Sequence, residues 1–214
     1  MNRAPASHRQ LQTQYLILYN LVCAILWVAV LGRVLLLVPL VGFENVYGGV
    51  GNFVKWTQTL AVLEVVHSAL GLVRSPLSTT VMQVSSRLGL VWLIVNAYPA
   101  HTAPSPFYIT MLLAWSITEV IRYSYFVLNL RGYVPGFVTW LRYNTFYVLY
   151  PVGILSEMVM VLKTVGPAGR EWGQGAQWAL WGALAAYVPG SYILYTHMIT
   201  QRRKIMRGKQ PERR

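Results

Sequence analysis

Aspartate is absent from this chain, cysteine occurs once, and charged residues make up only 11% of its 214 positions. The missing aspartate leaves glutamate as the only carboxylate side chain, with six copies. The lone Cys23, set in the apolar run YLILYNLVCAILWVAVLG, excludes an intramolecular disulfide and any cysteine-based zinc site. It reads as a small buried apolar side chain. Soluble domains carry about 25% charged residues, so the shortage of charge, beside a 55% hydrophobic composition, points to an integral membrane protein.

The net charge of +12 invites a nucleic-acid reading until the charges are placed. Seven of the eighteen basic residues lie in 202–214 and most others flank apolar runs. That pattern orients a membrane protein and builds no nucleic-acid groove. Residues 1–14 are polar and basic, and the apolar run that follows is longer than the core of a cleavable signal, so it is expected to be the first membrane span.

Six apolar segments approach the roughly 20 residues that cross a bilayer: 15–41, 56–73, 77–100, 107–130, 137–162 and 176–199. The third is the least apolar, with Gln83, Ser85, Ser86 and Arg87 in its first half. The connections 42–55 (glycine-rich), 101–106 and 166–175 read as short turns. The expected fold is an all-α, six-span helix bundle over 15–200, with segment 1–14 and a basic tail 201–214 outside it. An even number of spans puts both termini on one side. Arg3, Arg9, Arg74, Arg87, Arg131, Arg142 and the tail fall on that side, so the positive-inside bias predicts cytosolic termini.

Ionisable residues inside spans are functional-site hypotheses by default. In the second span Glu64 and His67 are three apart, a spacing that predicts a packing pair; two ligands do not make a zinc site. In the fourth span Glu119 and Arg122 repeat the spacing and are expected to form a structural ion pair. The fifth, LRYNTFYVLYPVGILSE (141–157), differs. Glu157 has no basic residue at i±3 or i±4, and Tyr150 lies seven residues earlier, two turns along one face. A weak acid and a carboxylate facing one site suit proton-transfer chemistry on a lipid-like substrate; a polar seam between helices is the plainer alternative. Pro151 is expected to kink the helix just after Tyr150, and Gly153 leaves room for a substrate or a neighbouring helix. Arg33, late in the first span, reads as a charge snorkelling toward the interface.

Several blocks occur in order along the chain: GFENVY (42–47), QTLAVLEVVHSALGLVRS (58–75), QVSSR (83–87), WSITEVIRY (115–123), the LRY, LYP, Gly and Glu elements of 141–157, and YVPGS (187–191). In these blocks the sequence resembles the endoplasmic-reticulum 3-hydroxyacyl-CoA dehydratases of very-long-chain fatty acid elongation, also called protein tyrosine phosphatase-like proteins, and in particular their plant Pasticcino-type members. The resemblance implies a multi-pass protein of that membrane, six spans and cytosolic termini. It implies dehydration of a (3R)-3-hydroxyacyl-CoA to the trans-2-enoyl-CoA, with Tyr150 and Glu157 as the catalytic pair. No metal or other cofactor is expected; the partners are the acyl-CoA substrate, membrane lipid and other elongase enzymes. The phosphatase of the family's older name does not carry over, because Cys23 has no phosphate-binding loop around it. Arg74, Arg87 and Arg142 are candidate substrate-binding cations for the CoA phosphates. A noncatalytic scaffold of the elongase complex is the alternative function, and a proton-coupled transporter a more distant one, since no inverted repeat is visible.

Overall fold

The computed structural model describes residues 6–207, with side-chain surroundings for 8–205. The ends of the polar N-terminal segment and of the basic tail, including Arg3 and the final PERR, lie outside the described residues. Among the described residues every regular element is helical: α1 (Ala6–Val41), α2 (Val46–Thr59), α3 (Val62–Ala69), α4 (Leu77–Gly89), α5 (Pro99–Thr102), α6 (Pro106–Leu130), α7 (Gly136–Asn144), α8 (Phe146–Trp172) and α9 (Gln174–Arg207). Helix α4 runs on into a π-helical stretch, Leu90–Val95, in which Asn96 N–H reaches back five residues to the Val91 carbonyl. Two helices, α1 from His8 onward and α8, are long and apolar enough on their own to cross a membrane.

The bundle is organised around α6, which packs against α1 on one side and α8 on another, while α9 lies along α8 and α2 along α1. Its core joins Trp27, Val30 and Val34 of α1, Val50 and Val54 of α2, the π-helical stretch, and Tyr108, Met111, Leu112 and Trp115 of α6. The outward surface is apolar as well. On α1 alone Leu18, Ile25, Val28, Leu35, Leu36 and Leu40 are exposed, more contiguous hydrocarbon than a soluble monomer leaves in water.

Two expectations about the connections are corrected. The glycine-rich stretch 42–55 is helical from Val46, because its small residues serve helix packing. A Cβ on Gly49 would sit 2.7 Å from Leu37 Cδ1, so the glycine lets α2 lie close on α1. Arg33 belongs to this contact: it donates to the Gly49 carbonyl at 3.0 Å and lies 4.4 Å from the Phe53 ring centroid, so it is a packing residue between α1 and α2. The stretch 166–175 is not a loop either. Helix α8 passes through Pro167 to Trp172, and the reversal into α9 is made at Gly173, whose φ of +83° a side chain would resist. The fifth span is divided at Thr145, between α7 and α8, and Pro151 lies inside α8. At that division the Asn144 and Thr145 side chains bond the Trp140 and Leu141 carbonyls, both at 2.8 Å, in competition with the helical amides.

Candidate active site

Tyr150 and Glu157 lie on α8, both half-buried. Between them Gly153 faces α6, where a Cβ would meet Ala114 Cβ at 3.7 Å; a neighbouring helix occupies the room this glycine leaves. Ser156, adjacent to Glu157, bonds Thr110 of α6 at 2.7 Å. The register of α8 against α6 is thereby fixed at the level of the carboxylate.

The Glu157 carboxylate is held at both oxygens by neutral donors from two other helices. The Trp115 indole N–H of α6 donates to Oε1 at 2.8 Å, and the Tyr187 hydroxyl of α9 donates to Oε2 at 2.9 Å. Trp115 is only 2% exposed, so its N–H needs a partner, and the carboxylate supplies one. Neither donor carries charge. The carboxylate is oriented without being neutralised by a directly bonded cation.

The nearest cation acts from one layer further out. The Arg87 guanidinium of α4 lies 5.0 Å from the Trp115 ring centroid and forms an ion pair with Glu119. Glu119 in turn accepts Arg122 Nε at 2.6 Å, the i, i+3 pair that the spacing predicts. Arg122 continues with both terminal nitrogens to Glu64, at 2.9 and 2.7 Å, and the Tyr123 hydroxyl donates to the same carboxylate. Four charges of alternating sign, Arg87, Glu119, Arg122 and Glu64, thus run through the bundle from α4 across α6 to α3. Tyr150 sits in the combined field of Arg87, Glu119, Glu157 and Arg122.

The sequence pairing of Glu64 with His67 does not form. Glu64 turns to Arg122, while His67 Nε2 shares a 2.8 Å hydrogen bond with the Tyr15 hydroxyl of α1 and meets the Tyr15 and Tyr19 rings edge to face. Both residues lie in α3, and competing partners on other helices draw them apart: Arg122 and Tyr123 of α6 take Glu64, and Tyr15 of α1 takes His67. Of the three cations expected at the substrate, Arg87 alone approaches Tyr150 and Glu157. Arg74 is exposed in the α3–α4 connection, and Arg142 lies against the rings of Tyr125 and Phe126. Sequence reasoning did not identify Trp115 and Tyr187 as partners of Glu157. Both stand in the blocks WSITEVIRY and YVPGS, the one signal that marks them.

The family model of the protein tyrosine phosphatase-like protein, PTPLA, matches residues 58–208. A Schizosaccharomyces pombe protein named as a probable very-long-chain (3R)-3-hydroxyacyl-CoA dehydratase is 47% identical over 197 residues, covering 91% of this chain and 94% of its own. The Caenorhabditis elegans very-long-chain (3R)-3-hydroxyacyl-CoA dehydratase hpo-8 is 39% identical over 91% of this chain and 95% of its own. The Arabidopsis thaliana dehydratase PASTICCINO 2 is 38% identical over 92% and 95%. No solved structure matches. With a family match across most of its length and relatives this similar end to end, the chain belongs to the protein tyrosine phosphatase-like, PTPLA family.

Proposed function

We propose that this protein is a membrane-embedded hydro-lyase that removes water from very-long-chain (3R)-3-hydroxyacyl-CoA to give the trans-2-enoyl-CoA, with Tyr150 and Glu157 as the catalytic pair. The observation that carries the reading is the setting of Glu157: a carboxylate within the bundle, gripped at both oxygens by neutral donors, two turns along one helix from a tyrosine. Relatives named for this reaction, aligned over nearly the whole chain, support the substrate class.

In the reaction Glu157 takes the proton from C2, beside the thioester. The C2–H electron pair forms the C2–C3 double bond as the C3–O bond breaks, and Tyr150 gives its phenolic proton to the departing hydroxyl, which leaves as water. Return of the proton from Glu157 to the Tyr150 phenolate restores the site. Two donors on Glu157 favour this assignment over the reverse, because both hydrogen bonds are strongest when their acceptor is a carboxylate. Arg87, set between Trp115 and Glu119, supplies positive field where the enolate and phenolate charges develop.

The helices group into six passes: α1, α2 with α3, α4 with its π-helical extension, α6, α7 with α8, and α9. Exposed apolar side chains along α1 support lipid contact, and exposed Tyr133, Phe137 and Trp140 near one end, with Trp172 and Trp178 near the other, fit interfacial aromatic bands. In this reading the termini are cytosolic, the membrane is the endoplasmic reticulum, and other elongase enzymes hand on the substrate.

The test is single-turnover dehydration of a long-chain (3R)-3-hydroxyacyl-CoA by detergent-purified protein, with enoyl-CoA followed by mass spectrometry. Wild type turns over, while Tyr150→Phe and Glu157→Gln, equally well folded, do not. Acyl-CoA binding without turnover by wild type would move the function to a noncatalytic elongase scaffold.

A further inference from the structure

Where α7 gives way to α8, two arginines have no carboxylate partner among the described residues. The Arg142 guanidinium lies 4.5 Å from the Tyr125 ring centroid and 4.7 Å from that of Phe126, and its buried Nε bonds nothing among the described residues. Arg202 reaches in from α9: its Nε donates to Asn144 Oδ1 at 3.0 Å, and its guanidinium lies 5.5 Å from the Tyr147 ring centroid. Arg142 and Asn144 are two positions apart on α7, so they point to opposite sides of it. The two cations therefore flank its last turn.

The described glutamates are accounted for elsewhere. Glu64 and Glu119 pair with Arg122 and Arg87, and Glu157 is bonded to Trp115 and Tyr187. Glu44 follows α1, and Glu171 closes the far end of α8; Glu212 lies outside the described residues. An arginine held against ring faces with an orphaned N–H is a partly desolvated cation, and ring faces offset that only in part.

We infer that Arg142 and Arg202 form a two-point site for the phosphates of the substrate's coenzyme A, one taking the diphosphate and the other the ribose 3′-phosphate. The inference rests on the dehydratase reading for its ligand. Coenzyme A carries its anionic groups at two separated points of one ribose, which suits two cations on either side of a helix turn. Phe146, the first residue of α8, lies about 17 Å up the helix axis from Glu157 at 1.5 Å per residue, and Asn144 stands just beyond the break; that is the order of an extended pantetheine arm, and Tyr147 and Tyr150 continue along α8 between them. An anionic lipid headgroup offers the same phosphate chemistry, and the test separates the two.

The experiment compares two thioesters of one 3-hydroxyacyl chain, the CoA ester and the phosphate-free pantetheine ester, using full-length protein in nanodiscs of neutral and of anionic lipid. In wild type kcat/KM favours the CoA ester. In Arg202→Gln and Arg142→Gln that preference falls about tenfold in both lipids, the size of one lost charge-assisted contact, and adenosine 3′,5′-bisphosphate loses potency as a competitive inhibitor. A preference unchanged in both variants overturns the inference, as does a loss confined to anionic lipid, which would assign the site to a headgroup. Should Arg142→Gln fail to fold, Arg202→Gln alone decides. If wild type turns over neither thioester, the dehydratase reading fails, and desulfo-CoA binding decides the site by itself: tighter to wild type than to Arg202→Gln supports it, equal affinity overturns it.

Discussion

The Trp115 indole N–H points at Glu157 Oε1 across the α6–α8 interface, 2.8 Å away, while the other face of the arrangement is closed by Tyr187 from α9. Three helices therefore converge on one carboxylate, and each can be tested by removing a single polar atom.

Trp115→Phe keeps a ring beneath Arg87 and deletes the donor, together with part of the buried indole volume. A hydrogen bond to a charged group is worth about 1.5–3 kcal/mol, so kcat should fall about tenfold to a hundredfold with KM nearly unchanged. Steady-state dehydration kinetics check this; a rise in KM with kcat intact would place Trp115 in substrate binding.

Tyr187→Phe should lower kcat by a similar factor, about ten to a hundred, for the same reason. Because both donors act on one carboxylate, the double variant with Trp115→Phe should depart from additivity by about 0.5 kcal/mol or more in transition-state energy. Strict additivity would mean that the two donors do not share a function.

Glu119→Gln leaves Arg87 and Arg122 facing each other without the carboxylate that joins them. Breaking a buried pair by removing one partner costs about 3–5 kcal/mol, so the variant should lose folded protein at markedly lower temperature in detergent. His67→Ala stands outside this chain of charges. A double-mutant cycle of His67→Ala with Glu64→Gln should give a coupling energy near zero, and a large coupling would restore the pairing that the sequence spacing predicts.

Gly48 and Gly49 are adjacent in α2 but face different surroundings. A Cβ on Gly48 meets nothing within 4 Å, so Gly48→Ala should be neutral or stabilising by up to about 1 kcal/mol through helix propensity. Gly49→Val pushes into Leu37 and should destabilise by about 1–3 kcal/mol, the usual range for overpacking. Thermal unfolding of the two variants side by side reads the difference.

Contacts within one helix were legible in the sequence, and contacts between helices were not. The i, i+3 spacing of Glu119 and Arg122 predicts their ion pair, and the seven-residue interval puts Tyr150 and Glu157 on one side of α8, because helical periodicity fixes both. Arg87 meets Glu119 from 32 positions away, and Trp115 and Tyr187 reach Glu157 from other helices, through a register that spacing does not encode. Glu64 and His67 show the opposite failure. Their spacing is right for a pair and both lie in α3, but the competing partners Arg122 and Tyr15 on other helices separate them. The glycines of 42–55 misled because glycine signals a turn in water, whereas between membrane helices it permits close approach.

The alternating chain of Arg87, Glu119, Arg122 and Glu64 bears on how the protein is made. Among the described helices only α1 and α8 are apolar enough to enter a bilayer on their own merits. The segments that contribute the four charges are each poor insertion candidates until the others arrive. A ribosome-bound chain that has emerged only as far as α4 would expose Glu64 and Arg87 without Glu119 and Arg122, and would be a natural client for insertion chaperones. On the six-pass reading proposed above, release into lipid of the segments that carry these charges should be concerted and timed by the appearance of the WSITEVIRY segment, so truncations on either side of it should differ sharply in resistance to alkaline extraction.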